Sequence, residues 1–260
     1  MFDKLRDAGF DIETRNHAEA ILSVDFPQES DELVAALLSV AIPAVELVAS
    51  GGGEAPSTQR LRRSLSEAGW KKHNYRIETT VDGRALGDGT SHEIDHVRRG
   101  PGGTLALEIE WNNKDPFFDR DLENFQRLHA QSIIDLGIVV TRGAALQAAM
   151  VELVTDFVRK ADVTEEAQLL AFGMKDRTQR QRAAVARAVA SGSDFAEAFA
   201  RPFVADKFGM ATTHWSKLMD RVRRGVGNPC PLLLIGLPVS AILPHGTAAP
   251  MPPPPSGGLF

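Results

Sequence analysis

The chain has 260 residues, 43% hydrophobic and 24% charged, the balance of a globular protein with room for one large domain or a domain carrying an elaborate insertion. No run of about 18 apolar residues occurs, so no transmembrane helix is expected, and MFDKLRDAGFDIETR at the start is too charged to read as a secretory signal. The single cysteine, Cys230, rules out an internal disulfide and fits a reducing cytoplasm. Net charge is −5, without the overall basic footprint of a nucleic-acid binder. Net charge hides patches, however. Basic runs gather at Arg60, Arg62, Arg63, Lys71, Lys72 and Arg76, at Lys175, Arg177, Arg180, Arg182 and Arg187, and at Lys217, Arg221, Arg223 and Arg224. Each is either a solvated helix face or a surface for an anionic partner.

Along the chain, residues 17–24 and 30–49 read as helices, the second broken at Pro43. GGGEAPS (51–57) is a flexible connection, and Ser57 can cap a helix that runs to Glu67 and ends at Gly69. NYRIETTV (74–81) alternates like a strand with Tyr75, Ile77 and Thr79 on one face, and DGRALGDGTS (82–91) is a loop. HEIDHV (92–97), RRGPGGT and LALEIEW (105–111) then read as two strands joined by a Gly/Pro-rich turn. Residues 117–133 form a helix with Phe118, Leu122, Phe125 and Leu128 inward. GIVVT (137–141) is a strand covered on both faces, followed by a helix over 143–160. Residues 162–210 are Ala- and Arg-rich and helical throughout, an insertion or subdomain packed on the sheet. One more helix spans 214–225, and PLLLIGL (231–237) is a last buried strand.

This order predicts an α/β fold, a mixed central β-sheet flanked by helices, with a helical insertion. Residues 1–242 would form one domain, and the Pro/Gly-rich tail 243–260 is expected to be disordered.

In LALEIEWNNKD (105–115), Leu105, Leu107, Ile109 and Trp111 make an apolar face, while Glu108 and Glu110 share the other. Glu93 and Asp95 likewise share a face of the preceding strand, so up to four carboxylates converge if the strands pair. Ionised carboxylates in a half-buried place need a partner. Ion pairing with Arg98, Arg99 or Lys114 would supply one. The alternative is a cation, and an oxygen-only ligand set suits Mg2+ or Mn2+ and phosphoryl chemistry. His92 and His96 bracket the acids and read as polar neighbours rather than ligands.

The spacing Asp95-x12-Glu108-x-Glu110 resembles the PD-(D/E)xK nuclease motif, with Glu110 where that motif usually has Lys. BamHI-type restriction endonucleases have E-x-E there, and the BglII/BstYI type has E-x-Q. Other stretches resemble the BglII/BstYI type in the same order: LRRSLSEAGWKK (61–72), EID followed by LALEIEW, FQRLHAQSIIDLGIVV (125–140), and VRRGVGNPCPLLLIGL (222–237). Residues 162–210 have no recognised counterpart.

This resemblance implies a type II restriction endonuclease of a prokaryotic cytoplasm. It would bind palindromic double-stranded DNA as a homodimer and hydrolyse phosphodiester bonds with Mg2+, Mn2+ substituting, leaving 5′-phosphate and 3′-hydroxyl ends. A cognate DNA methyltransferase would act on the same site. Asp95, Glu108 and the Ile109 carbonyl would hold the metal, Glu110 would orient or deprotonate the attacking water, and Glu93 would support or complete the metal site. Asn112, Asn113 and Lys114 are placed to read bases, or are turn residues. Thr212, Thr213 and His214, in a polar loop before the last helix, are a second candidate reading segment. Three other readings remain: a structure-specific repair or recombination nuclease of the same fold, a non-catalytic DNA-binding protein, and a carboxylate-pair sugar hydrolase. One Tyr and three Trp leave the last short of stacking platforms.

Overall fold

The computed structural model of the protein describes residues 1–49, 54–78, 80–85, 89–175 and 177–247. Its centre is a six-stranded mixed sheet in the order β1-β9-β8-β7-β6-β3. These strands are β1 (Asp11–Arg15), β3 (Lys71–Ile77), β6 (Thr90–Gly100), β7 (Gly103–Glu110), β8 (Leu136–Arg142) and β9 (Leu232–Leu237). β7, β8 and β9 run parallel, whereas β6 and β3 on one side and β1 on the other are antiparallel to their neighbours. The continuous apolar runs of β8 and β9 are buried at every position, as parallel strands covered on both faces require. β6 and β7 form a hairpin closed by Pro101 and Gly102, with Gly100 opposite Gly103.

Side chains alternate between two cores. Leu105, Leu107, Ile138, Val140, Leu233 and Ile235 face one. It is covered by α1 (Asp3–Asp7), α2 (Ala18–Asp25), α3 (Pro27–Leu38), α4 (Val45–Val48), α5 (Pro56–Glu67) and α7 (Ala144–Lys160). Ala106, Val139, Leu232 and Leu234 face the other, under α6 (Phe117–Ala130) and α10 (Trp215–Arg223). Phe118, Leu122, Phe125 and Leu128 of α6 are all buried, the stripe expected from their spacing.

The sequence reading differs from the structure in several places. The 30–49 helix is α3 followed by the short strand β2 (Ile42–Pro43) and α4, because Pro43 cannot continue a helix. β2 pairs with β10 (Ile242–Leu243), so ordered chain reaches past residue 242. Residues 248–260 of the expected disordered tail, 51–53 of the expected flexible connection and Thr79 lie outside the described residues. Helix α5 starts with Pro56 in its first turn rather than on a Ser57 cap, and Ser57 is buried. Part of the expected 82–91 loop closes a small hairpin, β4 (Thr80–Val81) with β5 (Arg84–Ala85). Edge strand β1 is polar and short, and its sequence gave no signal. Its Asp11 Oδ2 accepts the Ala144 backbone N–H at 2.7 Å and so caps α7.

Residues 162–210 comprise a 3-10 helix (Glu166–Phe172), α8 (Gln179–Ala190) and α9 (Phe195–Lys207). Phe208 reaches the end of β8 at Arg142, while the helices themselves stack outward. α9 packs on α7, and α8 packs on α9, forming a further layer. Among the described residues no helix is long and apolar enough to cross a membrane.

Candidate active site

Strand β7 ends beside a cleft of about 850 Å3. Asp95, Glu110, Asn112 and Asn113 line it, together with Thr178 and Gln181 of the 162–210 region. That region therefore faces the site rather than only thickening the protein.

Glu108 and Glu110 project from β7 toward α6 and are 4% and 3% exposed. Glu108 Oε1 accepts the Asp95 backbone N–H at 3.3 Å. Glu110 Oε2 accepts the Asn113 side-chain amide at 2.8 Å, and Arg120 Nη2 lies 3.6 Å from Oε1. Thr141 Oγ1 donates to the Glu110 carbonyl at 2.8 Å and ties this strand end to β8. Ile109 lies between the two acids, opposite Val140, and lines the cleft.

A third acid, Asp121, comes from α6 and is 1% exposed. Arg120 holds its Oδ1 at 2.7 Å, whereas Oδ2 is buried without a hydrogen-bond donor. Burial pushes the Glu110 carboxyl up to about 9, with the Asp121 charge adding to the effect and the Asn113 bond opposing it. Burial and then the charges of Asp121 and Asp95 raise Glu108 well above the usual carboxylate range. Burial also raises Asp121, against the pull of Arg120. Three adjoining carboxyls that resist ionisation want a cation.

The four acids expected to converge do not. Lys71 pairs with Val97 but His73 pairs with Ile94, so Asp95 and His96 together oppose Lys72 in a β-bulge. Ile94 and Val97 consequently both face the α6 core, breaking the two-residue alternation on which the expectation relied. Asp95 turns to Arg62 of α5 at 3.4 Å and to Lys72 at 3.7 Å. Glu93 is more than half exposed and pairs with Lys72 at 2.7 Å. The acids' cationic partners are thus Arg62, Lys72 and Arg120, not Arg98, Arg99 or Lys114. Among the described residues no three acidic, imidazole or thiol groups form a ready-made metal cage. Mg2+ does not need one, since it commonly takes one or two carboxylates and leaves other positions to water and phosphate. The oxygen-only donors and the orphaned Asp121 Oδ2 fit such a hard cation.

His92 Nδ1 lies 2.8 Å from Asn124 Oδ1, and His96 Nδ1 lies 3.3 Å from the Leu107 carbonyl. Burial brings His96 down to about 4, so it is neutral and structural.

The two candidate reading segments meet. Lys114 forms a β-bridge with Thr212, Asp115 N–H donates to the Ala211 carbonyl at 3.0 Å, and Thr213 N–H donates to the Asn113 carbonyl at 2.9 Å. Asn113 and Lys114 are exposed. Thr213 and His214 are buried; Thr213 Oγ1 accepts the Asn113 backbone N–H at 3.0 Å, and His214 Nδ1 lies 3.2 Å from Ser216 Oγ. Arg221 anchors the turn through Asp115 at 3.0 Å and Asp119 at 3.2 Å, which accounts for part of the third basic run.

Sequence reasoning missed Asp121, Arg120 and the buried Arg142. Asp121 had a signal, because it falls between Phe118 and Leu122 on the inward stripe of α6. An acid on such a stripe is seldom idle.

A mixed sheet that brings paired buried acids beside a cleft is an arrangement suited to hydrolysis of the nuclease kind. The profile of the family described as Restriction endonuclease BglII/BglIII matches residues 10–237, and the chain belongs to that family. It is a type II restriction endonuclease, a site-specific deoxyribonuclease with DNA as its substrate, and such enzymes are typically metal-dependent. No curated protein matches the chain.

Proposed function

We propose that the protein hydrolyses phosphodiester bonds of double-stranded DNA at a short palindromic site with Mg2+, acting as a homodimer and leaving 5′-phosphate and 3′-hydroxyl ends. The observation that carries this reading is the burial of Glu108 and Glu110 side by side on β7, next to the buried Asp121, with Glu110 lining the cleft. Asp95, Glu108 and the Ile109 carbonyl would hold Mg2+ (Mn2+ substituting), which supplies neutralisation of the scissile phosphate and acidification of water. Glu110 orients the attacking water and takes its proton, in line with the leaving 3′-oxygen. Asp121 and Arg120 hold Glu110 from behind. Arg62 and Lys72 restrain Asp95 at the cleft side and offer positive charge to the backbone of the DNA.

Asn112, Asn113 and Lys114 read base edges. The exposure of Asn113 and Lys114, and the place of Asn112 and Asn113 in the cleft lining beside Glu110, favour that role. The burial of Thr213 and His214 favours a supporting role for Thr212, Thr213 and His214, holding the reading turn from below. Glu93, bound to Lys72, serves that lysine rather than the metal. A prokaryotic cytoplasm and a cognate DNA methyltransferase acting on the same sequence complete this reading.

The test is incubation with plasmid or phage DNA in Mg2+ and then in EDTA. Discrete fragments in Mg2+ alone are expected. Broad degradation would move the protein to the structure-acting nucleases, and intact DNA under both Mg2+ and Mn2+ with folded protein would sink the proposal. Glu110→Ala should abolish cleavage while leaving specific binding measurable in a gel shift.

A further inference from the structure

Behind the reading turn lies a cation that the acid chemistry does not use. Arg142 ends β8 and is 0% exposed. Among the described residues no acid compensates it, and burial brings its guanidinium down to about 9. The Trp111 ring lies 5.7 Å and the Phe208 ring 5.0 Å from its Cζ. Nη1 donates to Asn112 Oδ1 at 2.6 Å, and Nη2 donates to Thr212 Oγ1 at 2.7 Å. Thr212 Oγ1 passes its own hydrogen to the Gly209 carbonyl at 2.7 Å. One fork thus clamps the turn after β7 to the turn after α9. Keeping a buried guanidinium without a counter-ion is costly, and a threonine and an asparagine are weak compensation.

The clamp has a chemical consequence for Asn112. Arginine only donates, so the Asn112 atom facing it must be the amide oxygen, which fixes the side-chain flip. The Asn112 Nδ2 has no hydrogen-bond partner among the described residues, and Asn112 lines the cleft. The donor end of Asn112 is therefore the end left free for a base. Bidentate pairing with adenine also needs the asparagine oxygen, to accept from adenine N6, and Arg142 takes one of that oxygen's two lone pairs and fixes its direction toward a fully buried guanidinium. Guanine offers only acceptors, N7 and O6, along its major-groove edge.

We infer that Arg142 is a positioning residue for sequence recognition, presenting Asn112 as a donor to a base edge made of acceptors, with guanine the best fit. This rests on the reading of the cleft as a restriction-endonuclease site. Thr212, with its hydroxyl spent on Arg142 and Gly209, completes the clamp and reads nothing.

The experiment digests a randomised DNA library with the full-length protein in Mg2+ and sequences the fragment ends, for the wild type, Arg142→Met and Asn112→Asp. Asn112→Asp removes the donors while giving Arg142 a carboxylate. It should fold, melt no lower than the wild type, and still lose selectivity. The wild type is expected to demand guanine at one position of each half-site. Both variants should lose selectivity at that same position, on the order of tenfold to a hundredfold, with the other positions retained. Arg142→Met tests the clamp, and if it does not fold, Asn112→Asp decides alone. Discrete wild-type fragments together with an Asn112→Asp selectivity profile identical to the wild type would overturn the inference and leave the endonuclease reading standing. Absence of discrete fragments from the wild type would overturn both.

Discussion

Asn113 donates its side-chain amide to Glu110 Oε2 at 2.8 Å, so a residue of the turn proposed to read DNA and the acid proposed to activate water form one hydrogen-bonded unit. A base contact that moves Asn113 must also move the proton acceptor. Asn113→Ala should therefore lower kcat at the cognate site by roughly a hundredfold, the scale lost with a positioned catalytic group. The bond also lowers the Glu110 pKa, so its loss should carry the acid limb of the pH–rate profile to higher pH. Single-turnover cleavage across pH checks both. A variant with a normal rate and an unmoved limb would show the bond to be incidental.

Asp121 works in the opposite direction. Its charge raises both Glu108 and Glu110, so Asp121→Asn should shift the acid limb to lower pH. Cleavage should still fall, because Arg120 would lose its 2.7 Å partner and swing toward Glu110. The same pH–rate measurement, run beside Asn113→Ala, would give limbs displaced in opposite senses. Displacement in one common direction would be inconsistent with these assignments.

The metal-free protein should be pH-sensitive in a window set by Glu110. Its folded pKa of about 9 stands above an ordinary value of 4.5, so the folded state binds the extra proton in between. The contribution of this group to stability is full below about 4.5 and is lost as pH rises toward 9, with a slope of up to about 1.4 kcal/mol per pH unit. Urea midpoints in EDTA should fall over that range more steeply for the wild type than for Glu110→Gln. Added Mg2+ needs ionised carboxylates, so it should raise the melting temperature more at pH 8 than at pH 6. Equal stabilisation at both pH values would argue that the cation does not bind at these acids.

Packing beneath the site gives a purely structural prediction. Gly137 of β8 faces the Phe125 ring of α6, and a Cβ added there would run into Phe125 Cδ2. Gly137→Ala should cost about 1–3 kcal/mol by forcing that helix away, measurable as a lowered urea midpoint at unchanged m-value. Because α6 also carries Asp121, Mg2+ affinity should weaken with it.

Much of this architecture was legible because periodicity reports burial directly. The apolar stripe of α6, the continuous runs of β8 and β9 and the alternation of β7 each name their own partners. Glu108 and Glu110 were visible for the same reason, as acids on an otherwise buried strand. Edge strand β1 was not, since a short polar strand has no face to bury. The placement of Glu93 was not, because a bulge is a property of pairing between strands, and β6 alone carries no mark of it. Arg142 was hidden by convention: a charged residue at the end of an apolar run reads as a solvent-facing boundary, whereas here the core continues past it.

Removing either Asp95 or His96 would restore regular pairing between β6 and β3. Every side chain of β6 N-terminal to the cut would then exchange faces, expelling Ile94 and His92 from under α6. The reach of Asp95 toward the cleft and the packing of the hairpin are set by the same extra residue. Change at this edge of the protein is therefore restricted to substitutions. Length variation, the commonest tolerated change elsewhere on a surface, would dismantle the core and the acid site in one step.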